Sequence, residues 1–387
     1  MANDRPYLLD VTRLIWRRWV GRLPTGIDRV CLAYLEHYGS RSQAVIQRQG
    51  FRRILSGAAS DRLFALSLAP GHGVRGDIAR LLAREALPFL NRRAGRGRLY
   101  FNVGHTALHE QAYLEWTRTS DVRPVYMIHD LIPVTHPEYC RAGEGIRHSA
   151  RVRHMLESAT GIIGNSRDTL DVLSSFAASN GLETPPMIAA PLGTDLRGRA
   201  SADRATPGRP TFVMIGTIEG RKNHLLLLQV WARLVGVLGA EAPRLLIIGQ
   251  RGWECEQVVD LLERSAALRG AVVEVGRCSD AELQGHLHDA RALLFPTLVE
   301  GYGLPLVEAL ASGTPVIASD IAVFREIGSG VPDFLDPLDG PAWQGAILSY
   351  AEADSAPRSA QIERLKSYRP PTWADHFAAV SAWAERL

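Results

Sequence analysis

The residues best suited to chemistry are two glutamates, Glu300 and Glu308, which lie eight positions apart around a glycine-rich turn. Pro305 suits the first turn of a helix, where its missing N–H needs no partner, and Gly313 suits the position just after a helix end. The unpaired N–H groups at the start of such a helix attract anions. The segment 296–313 therefore predicts an anion site with a carboxylate on either side.

The spacing of these carboxylates indicates a long ligand. On one continuous helix they would lie about 12 Å apart along the axis, whereas paired glycosidase carboxylates lie about 5–9.5 Å apart across one bond. Glycines interrupt the helix just after Glu300, so the sequence leaves the true distance open. We interpret the pair as holding two hydroxyl-rich ends of a nucleotide sugar. The alternative is a surface loop with two solvated glutamates.

This arrangement resembles the E-x7-E signature of the family 4 glycosyltransferases, which have the GT-B fold and retain the anomeric configuration. Four further stretches are similar to family motifs in the same order along the chain: HDLIP at 129–133, NS at 165–166, PLGTD at 191–195 and GTIEGRKN at 216–223. The resemblance extends over most of the chain. It implies an α/β protein of GT-B fold, with two Rossmann-like domains facing a central cleft.

The same resemblance implies roles for single residues. Lys222 and Arg221 would stabilise the departing nucleoside diphosphate, because fixed cations oppose the negative charge that grows on it. Glu300 and His129 would contact the transferred sugar, and Glu308 would bind the ribose hydroxyls. The other predicted donor-binding residues are Gly301, Tyr302, Gly303, Leu304, Gly216, Thr217, Arg277 and Asn165.

The chain departs from the family pattern at two places. Thr217 follows the glycine of the phosphate loop, where many members carry an arginine that Arg221 would here replace. The usual glycine pair of the first loop is also missing, and TGIDR at 25–29 takes its place. The predicted acceptor-side residues are Gly26, Arg29, Asp130 and His105.

Basic side chains are unusual in type and in distribution. Of the 44 basic residues only Lys222 and Lys366 are lysines, which suggests that Lys222 serves where a compact ammonium is required. Residues 1–110 hold 18 arginines against 8 acidic residues, although the whole chain carries only +3. This predicts an anionic partner for the first half, either a lipid-linked or oligosaccharide acceptor or an anionic membrane surface. No nucleic-acid motif accompanies the charge.

One arginine-rich segment, 13–23, mixes tryptophan with arginine as an interfacial segment does. The alternative is a strand end followed by a solvated loop. The composition is otherwise that of an ordinary globular protein, with 46% apolar and 22% charged residues. We see no secretory leader and no run near the roughly 20 apolar residues of a membrane span. The four cysteines are scattered, so a cytoplasmic enzyme, peripheral at the inner face of the cell membrane, is expected.

No cofactor or metal is predicted. The chain has no D-x-D pair of the kind used by metal-dependent sugar transferases. His105 and His109 have the i, i+4 spacing of a helical zinc site, but no third ligand suggests itself. A pair of histidines on a helix surface is the favoured interpretation, with His109 inside a predicted helix at 106–118. The alternative is that His105, at the end of a strand, lines the cleft.

Short apolar runs alternate with helical stretches in both halves of the chain, which predicts two parallel sheets covered by helices. We place an N-terminal acceptor-side domain at 1–195, a linker at 196–209 and a donor-binding domain at 210–369. By resemblance, a last helix at 370–387 would pack back on the N-terminal domain. The alternative is a terminal helix on its own domain.

The sequence therefore predicts a hexosyltransferase that moves a sugar from a nucleotide donor to a hydroxyl of a glycolipid or polysaccharide. GDP-mannose is the first choice of donor because motifs 129–133 and 216–223 look like those of bacterial mannosyltransferases; UDP- and dTDP-sugars stay open. Two other functions compete. One is a nucleotide-sugar epimerase of the same two-domain architecture, and the other is a non-catalytic subunit that binds a nucleotide sugar.

Overall fold

The computed structural model describes residues 5–21, 26–48, 50–69, 75–85, 95–194, 208–276 and 278–387. The chain divides into two compact α/β units. The first comprises Met1–Val134, Gly143–Leu192 and Trp373–Leu387, and the second comprises Thr135–Ala142 and Gly193–Thr372. Most of the expected linker lies outside the described residues. The short segment 135–142, which we had placed in the N-terminal domain, groups with the second unit.

The first unit contains a sheet of seven strands in the order β3-β2-β1-β4-β5-β6-β7. All neighbouring pairs are parallel except β2 and β3, which form an antiparallel hairpin at the edge of the sheet. The strands are β1 Tyr7–Asp10, β2 Ser42–Arg48, β3 Phe51–Ile54, β4 Arg98–Asn102, β5 Val122–Ile128, β6 Gly161–Gly164 and β7 Met187–Ala189. The hairpin strand β3 was not predicted.

The second unit contains a parallel sheet of six strands in the order β10-β9-β8-β11-β12-β13. Its inner strands are buried runs of Val, Ile, Leu and Phe, as expected for a sheet covered on both faces. The strands are β8 Thr211–Ile215, β9 Arg244–Ile248, β10 Val272–Val275, β11 Leu293–Phe295, β12 Val316–Ser319 and β13 Asp333–Leu335. The predicted fold class, two helix-covered and largely parallel sheets, is confirmed.

Helices connect the strands of both sheets. They are α1 Thr12–Val20, α2 Gly26–Tyr38, α3 Gly57–Leu68, α4 Arg75–Glu85, α5 Gln111–Thr119, α6 Ile132–Thr135, α7 Glu144–Ser158, α8 Arg167–Ser179, α9 His224–Leu238, α10 Glu256–Arg264, α11 Asp280–Asp289, α12 Leu304–Ala311, α13 Ala322–Gly328, α14 Gly340–Ala351, α15 Ala356–Leu365 and α16 Trp373–Ala384.

Two sequence interpretations of local structure are wrong. Segment 13–20 is neither a strand end nor a solvated loop: it lies in helix α1, whose Leu14 and Ile15 are buried. The helix expected at 106–118 begins only at Gln111. His105 and Ala107 both have positive φ angles, 57° and 56°, which a right-handed helix does not allow.

The last helix, α16, belongs to the first unit. The hydroxyl of Tyr34 in α2 lies 2.9 Å from Nε2 of His376, and Nδ1 of this histidine donates to the carbonyl of Pro191 at 3.1 Å. The ring of Phe377 stacks on His37, with ring centroids 4.1 Å apart. Helix α16 is therefore fixed by polar and aromatic contacts together.

Among the described residues one helical stretch, His224–Glu241, would be long and apolar enough to cross a membrane by length and composition. Leu227, Leu228, Trp231 and Leu234 of this stretch are buried in the hydrophobic core of the second unit. A core helix of this kind passes the same test, so the stretch is weak support for a membrane span.

Candidate active site

The predicted phosphate loop and the E-x7-E segment follow β8 and β11, the neighbouring strands at which the order of the second sheet reverses. Ligands of open parallel sheets bind at such a point, outside the carboxyl ends of the strands. The two loops are joined directly. The carbonyl of Arg221 accepts hydrogen bonds from the backbone N–H of Leu298 at 2.8 Å and from the hydroxyl of Thr297 at 3.0 Å.

An ion-pair cluster lies between these loops. The Lys222 ammonium pairs with Oε2 of Glu300, while Nη1 of Arg221 lies 3.1 Å from the other carboxylate oxygen. Nη2 of Arg221 lies 2.7 Å from Oε1 of Glu219. The cluster therefore brings two cations and two carboxylates together at the edge of the sheet. Glu219 was not singled out from the sequence, although it stands only two residues before Arg221.

Burial and charge act in opposite directions on this cluster. Burial alone would raise the pKa of Glu300, but Arg221 and Lys222 outweigh it and lower that pKa to about 2. Burial lowers the pKa of Lys222, and the neighbouring carboxylate of Glu300 opposes this shift. The pKa of Glu219 is raised, mainly by burial. Glu300 is therefore ionised at neutral pH and pairs with both cations.

The position of the Lys222 ammonium is set by its neighbours. Its Nζ lies 4.9 Å from the centroid of the Phe295 ring, at the end of β11. Gly216 has a φ of 145°, and a Cβ added there would lie 3.6 Å from Cε of Lys222. Only glycine adopts this backbone conformation readily. The glycine thus lets the loop turn closely over the lysine side chain.

Helix α12 carries the second glutamate of the pair. Glu308 is 2% exposed, and the side chain of Glu300 is 12% exposed, so the interpretation as two solvated surface glutamates is wrong. Gly303 caps the helix with a φ of 106°, and a Cβ added there would lie 2.6 Å from Cε1 of Phe324. Pro305 lies in the first turn, as its type predicts.

The structure also places the other predicted donor-binding residues. Gly301, Tyr302 and Leu304 lie at the start of α12, and Tyr302 is 4% exposed. Thr217 follows Gly216 directly after β8. Arg277 lies outside the described residues. All of these belong to the second unit, whereas Asn165 belongs to the first.

In the first unit two histidines link the carboxyl ends of β4 and β5. His105, after β4, donates from Nε2 to the carbonyl of Met127 at 2.7 Å, and His129, after β5, donates from Nε2 to the carbonyl of Val103 at 2.7 Å. The ring centroids of the two histidines are 4.9 Å apart. Each ring therefore carries its proton on Nε2, which leaves Nδ1 as an acceptor.

Both histidines are neutral at physiological pH. Burial lowers the pKa of His129 to about 4, and burial together with the neighbouring His129 lowers that of His105 well below its ordinary value. Asn165 donates from Nδ2 to the carbonyl of His129 at 2.9 Å. The predicted contact of His129 with the transferred sugar would be made through Nδ1, because its Nε2 bonds a backbone carbonyl.

A third histidine, not predicted from the sequence, completes this cluster. His148 on α7 donates from Nε2 to the carbonyl of Asp130 at 3.0 Å, and its Nδ1 accepts from Arg151 at 2.6 Å. His105 and His109 do not share a helix surface, because α5 begins only after both. Among the described residues no group of three or more His, Cys, Asp or Glu could hold a metal ion.

Residues 26–29 of the predicted acceptor loop form the first turn of helix α2, and Thr25 lies outside the described residues. Gly26 begins the helix and Arg29 lies in its first turn. Asp28 beside it is buried and pairs with Arg13 at 2.6 Å and Arg17 at 2.9 Å. These pairs fix α1 against the start of α2. They were not foreseen, since their partners lie more than ten residues apart in sequence.

Comparison with known proteins connects this geometry to a family. Residues 209–352 match the family model of glycosyl transferases group 1. The chain is 28% identical over 270 residues to the serotype-specific mannosyltransferase WbdA of Escherichia coli. The aligned region covers 65% of this chain and 33% of WbdA. It is 32% identical over 159 residues to the O-antigen chain mannosyltransferase B of Escherichia coli, covering 41% of each. The chain thus spans only about a third of the length of WbdA.

Solved structures match the fold of this chain over almost its whole length. Anabaena HepE in complex with UDP and glucose superposes with a TM-score of 0.69 at 16% identity, over 99% of this chain and 100% of that one. The chain has the GT-B fold, and residues 209–352 of its second unit match the model of glycosyl transferases group 1. Sucrose-phosphate synthase from Thermosynechococcus elongatus is a further neighbour, with a TM-score of 0.66 at 18% identity and coverage of 99% and 98%. At sequence identities this low, the structural matches show only the fold of the chain.

Proposed function

We propose that this GT-B protein is a retaining glycosyltransferase of family 4, which moves a hexose from a nucleoside-diphosphate sugar to a hydroxyl of a glycolipid or polysaccharide acceptor. The observation that carries the proposal is the cluster of Lys222, Arg221 and Glu300 at the strand ends where the sheet order reverses. A buried lysine beside a partly exposed arginine suits a diphosphate at that point, and the carboxylate that pairs with both suits sugar hydroxyls.

The geometry supports a simple division of labour. As the bond from the sugar to the diphosphate breaks, negative charge grows on the leaving phosphate, and Lys222 and Arg221 stabilise it without rearrangement. The start of α12 adds backbone N–H groups and the positive end of a helix dipole. Glu300 contacts the transferred sugar and Glu308 the ribose. No metal is needed in this scheme, because protein cations take its place.

Mannose is the proposed sugar, with GDP-mannose as donor, because the curated relatives are mannosyltransferases. The relatives named for O-antigen chains further support an acceptor in cell-surface glycan synthesis. The neighbour structures with UDP keep a UDP-sugar as the second choice of donor. We place the protein in the cytoplasm, peripheral at the inner face of the membrane.

The test combines a donor panel with two lysine variants. Thermal-shift screening against GDP-mannose, UDP-glucose, UDP-GlcNAc and dTDP-rhamnose identifies the donor, and its slow hydrolysis is then followed without acceptor. Lys222→Ala is expected to lower kcat about 10²–10³-fold, the usual loss when one charge-stabilising group is removed. Lys366→Ala is the matched control, since the only other lysine is exposed and pairs with Glu363 on α15.

Three outcomes would contradict the proposal. An unchanged kcat in Lys222→Ala would remove the leaving-group role. A new epimer of the donor formed without acceptor would indicate an isomerase. A donor that binds but is never hydrolysed or transferred would indicate a binding subunit. The one-bond C1–H1 coupling of the transferred sugar, measured by NMR, tests retention, because the product must keep the anomeric configuration of the donor.

A further inference from the structure

A large apolar cavity lies in the first unit, apart from the ion-pair cluster. It has a volume of about 830 Å³, within the range of small-molecule sites. Helices α1 and α4 and strands β2 and β3 surround it. Its apolar lining includes Ile15, Trp16, Trp19, Ile46, Phe51 and Leu82.

Two large side chains of this lining stay exposed although a cavity is beside them. Trp16 is 50% exposed and Phe51 is 44% exposed. Exposed aromatic residues around a concave apolar surface mark a binding site rather than a core. The lining therefore suits an apolar ligand that covers both rings.

The polar groups of the lining exclude a sugar as occupant. The hydroxyl of Thr12 accepts from the backbone N–H of Gln47 at 2.9 Å. The side chain of Gln47 donates to Asp10 at 2.5 Å and to the Tyr100 hydroxyl at 2.9 Å, and accepts from Arg52 at 3.1 Å. Because these groups are bonded within the protein, sugar hydroxyls would find few partners and would be costly to bury.

One charged residue of the lining stands apart. The guanidinium of Arg48 lies 5.1 Å from the centroid of the Trp16 ring, and the structure gives it no acidic partner among the described residues. An arginine on an aromatic face keeps its N–H donors available for a phosphate. Among the described residues no Asp or Glu lines the cavity, so this lining is complementary to an anionic head on an apolar chain.

The cavity also lies at a functional edge of the sheet. Thr12 follows the carboxyl end of β1, and Arg48 is the last residue of β2. Strands β1, β2, β4 and β5 are parallel, so this is the edge at which β4 and β5 present His105 and His129. A chain bound in the cavity would thus hold its head beside the acceptor half of the proposed site.

We propose that this cavity binds the apolar chain of the acceptor, a lipid phosphate whose anionic head meets Arg48. The inference rests on the proposed glycosyl transfer, since it names the chemical class of the acceptor. It differs from attachment to a membrane surface, because a single chain enters a cavity of the protein.

The test is calorimetric titration of the full-length protein with decyl phosphate below its micelle concentration. Ala83→Trp and Ala79→Trp fill the cavity from the exposed side of α4, and each is expected to weaken binding at least tenfold. Ala281→Trp, at an exposed alanine of α11 in the second unit, is the matched control and should bind within twofold of wild type. Thermal unfolding of each variant verifies that it folds.

The head group is tested separately. Arg48→Gln should weaken decyl phosphate about tenfold and leave binding of 1-decanol within twofold. The proposal is overturned if decyl phosphate does not bind, if both filling variants bind it as wild type does, or if inorganic phosphate binds equally well. Binding to phosphatidylglycerol vesicles without binding to monomeric decyl phosphate would indicate a membrane surface instead. Lys222 plays no part in this titration. A failure of the lipid-binding proposal can therefore be distinguished from a failure of the proposed transferase activity, which the Lys222 variants test.

Discussion

Replacing Glu300 by glutamine should destabilise the protein by an amount that depends on pH. The fall of its pKa from 4.5 to about 2 corresponds to about 3 kcal/mol of stability at pH 7. A depressed pKa in the folded state adds stability that is fully present above the ordinary value and is lost as pH falls toward 2. At pH 3.5 about 2 kcal/mol should remain, a decrease of about 1 kcal/mol.

This decrease isolates the ionisation of Glu300. The variant also leaves Lys222 and Arg221 without their shared carboxylate, but that effect changes little between pH 7 and pH 3.5, because both stay protonated. Urea unfolding of wild type and Glu300→Gln at the two pH values measures the difference. Glu352→Gln, at an exposed position after α14, is the control. Its free energy of unfolding should differ from that of wild type by almost the same amount at both pH values. If the free energies of unfolding of wild type and Glu300→Gln differ by the same amount at both pH values, the assigned ion pair is refuted.

Three further predictions concern histidines and a glycine. Because the pKa of His129 lies at about 4, the pH–rate profiles of wild type and His129→Asn should run parallel from pH 6 to 8. Burial also lowers the pKa of His376 to about 4, so the free energy of unfolding should fall as pH drops from 6.5 to 4. The melting temperature of His376→Asn should fall less over this range than that of wild type. Gly303→Ala should lose about 1–3 kcal/mol in urea unfolding, because its Cβ would meet Phe324 at 2.6 Å, whereas Gly345→Ala in open helical space should be neutral or stabilising.

Local backbone signals were readable from the sequence. Pro305 lies in the first turn of α12, and Gly313 follows that helix with a φ of 77°. Such positions depend on sterics and hydrogen bonds within a few residues of chain. Short apolar runs likewise predicted the parallel strands, and the phosphate loop and the E-x7-E segment follow two neighbouring ones, β8 and β11.

Features that depend on distant partners were not readable. The helix expected from residue 106 begins only at Gln111, after His105, whose ring donates across the sheet to Met127 and whose backbone lies at positive φ. His148 joins the histidine cluster from α7 through a carbonyl 18 residues away in sequence. The grouping of 135–142 with the second unit likewise follows from tertiary contacts. Sequence periodicity contains no information on any of these.

The Lys222 site explains why a lysine is present in a chain otherwise rich in arginine. The ammonium lies over the Phe295 ring at 4.9 Å and beside the backbone of Gly216, and its side chain is only 8% exposed. A compact point charge fits this narrow position, whereas the wider planar guanidinium would have to displace the ring or the loop. The neighbouring Arg221 side chain is 20% exposed, so a planar, branched guanidinium fits at that position. Lys222→Arg should therefore restore only part of the activity lost in Lys222→Ala, although it restores the full charge.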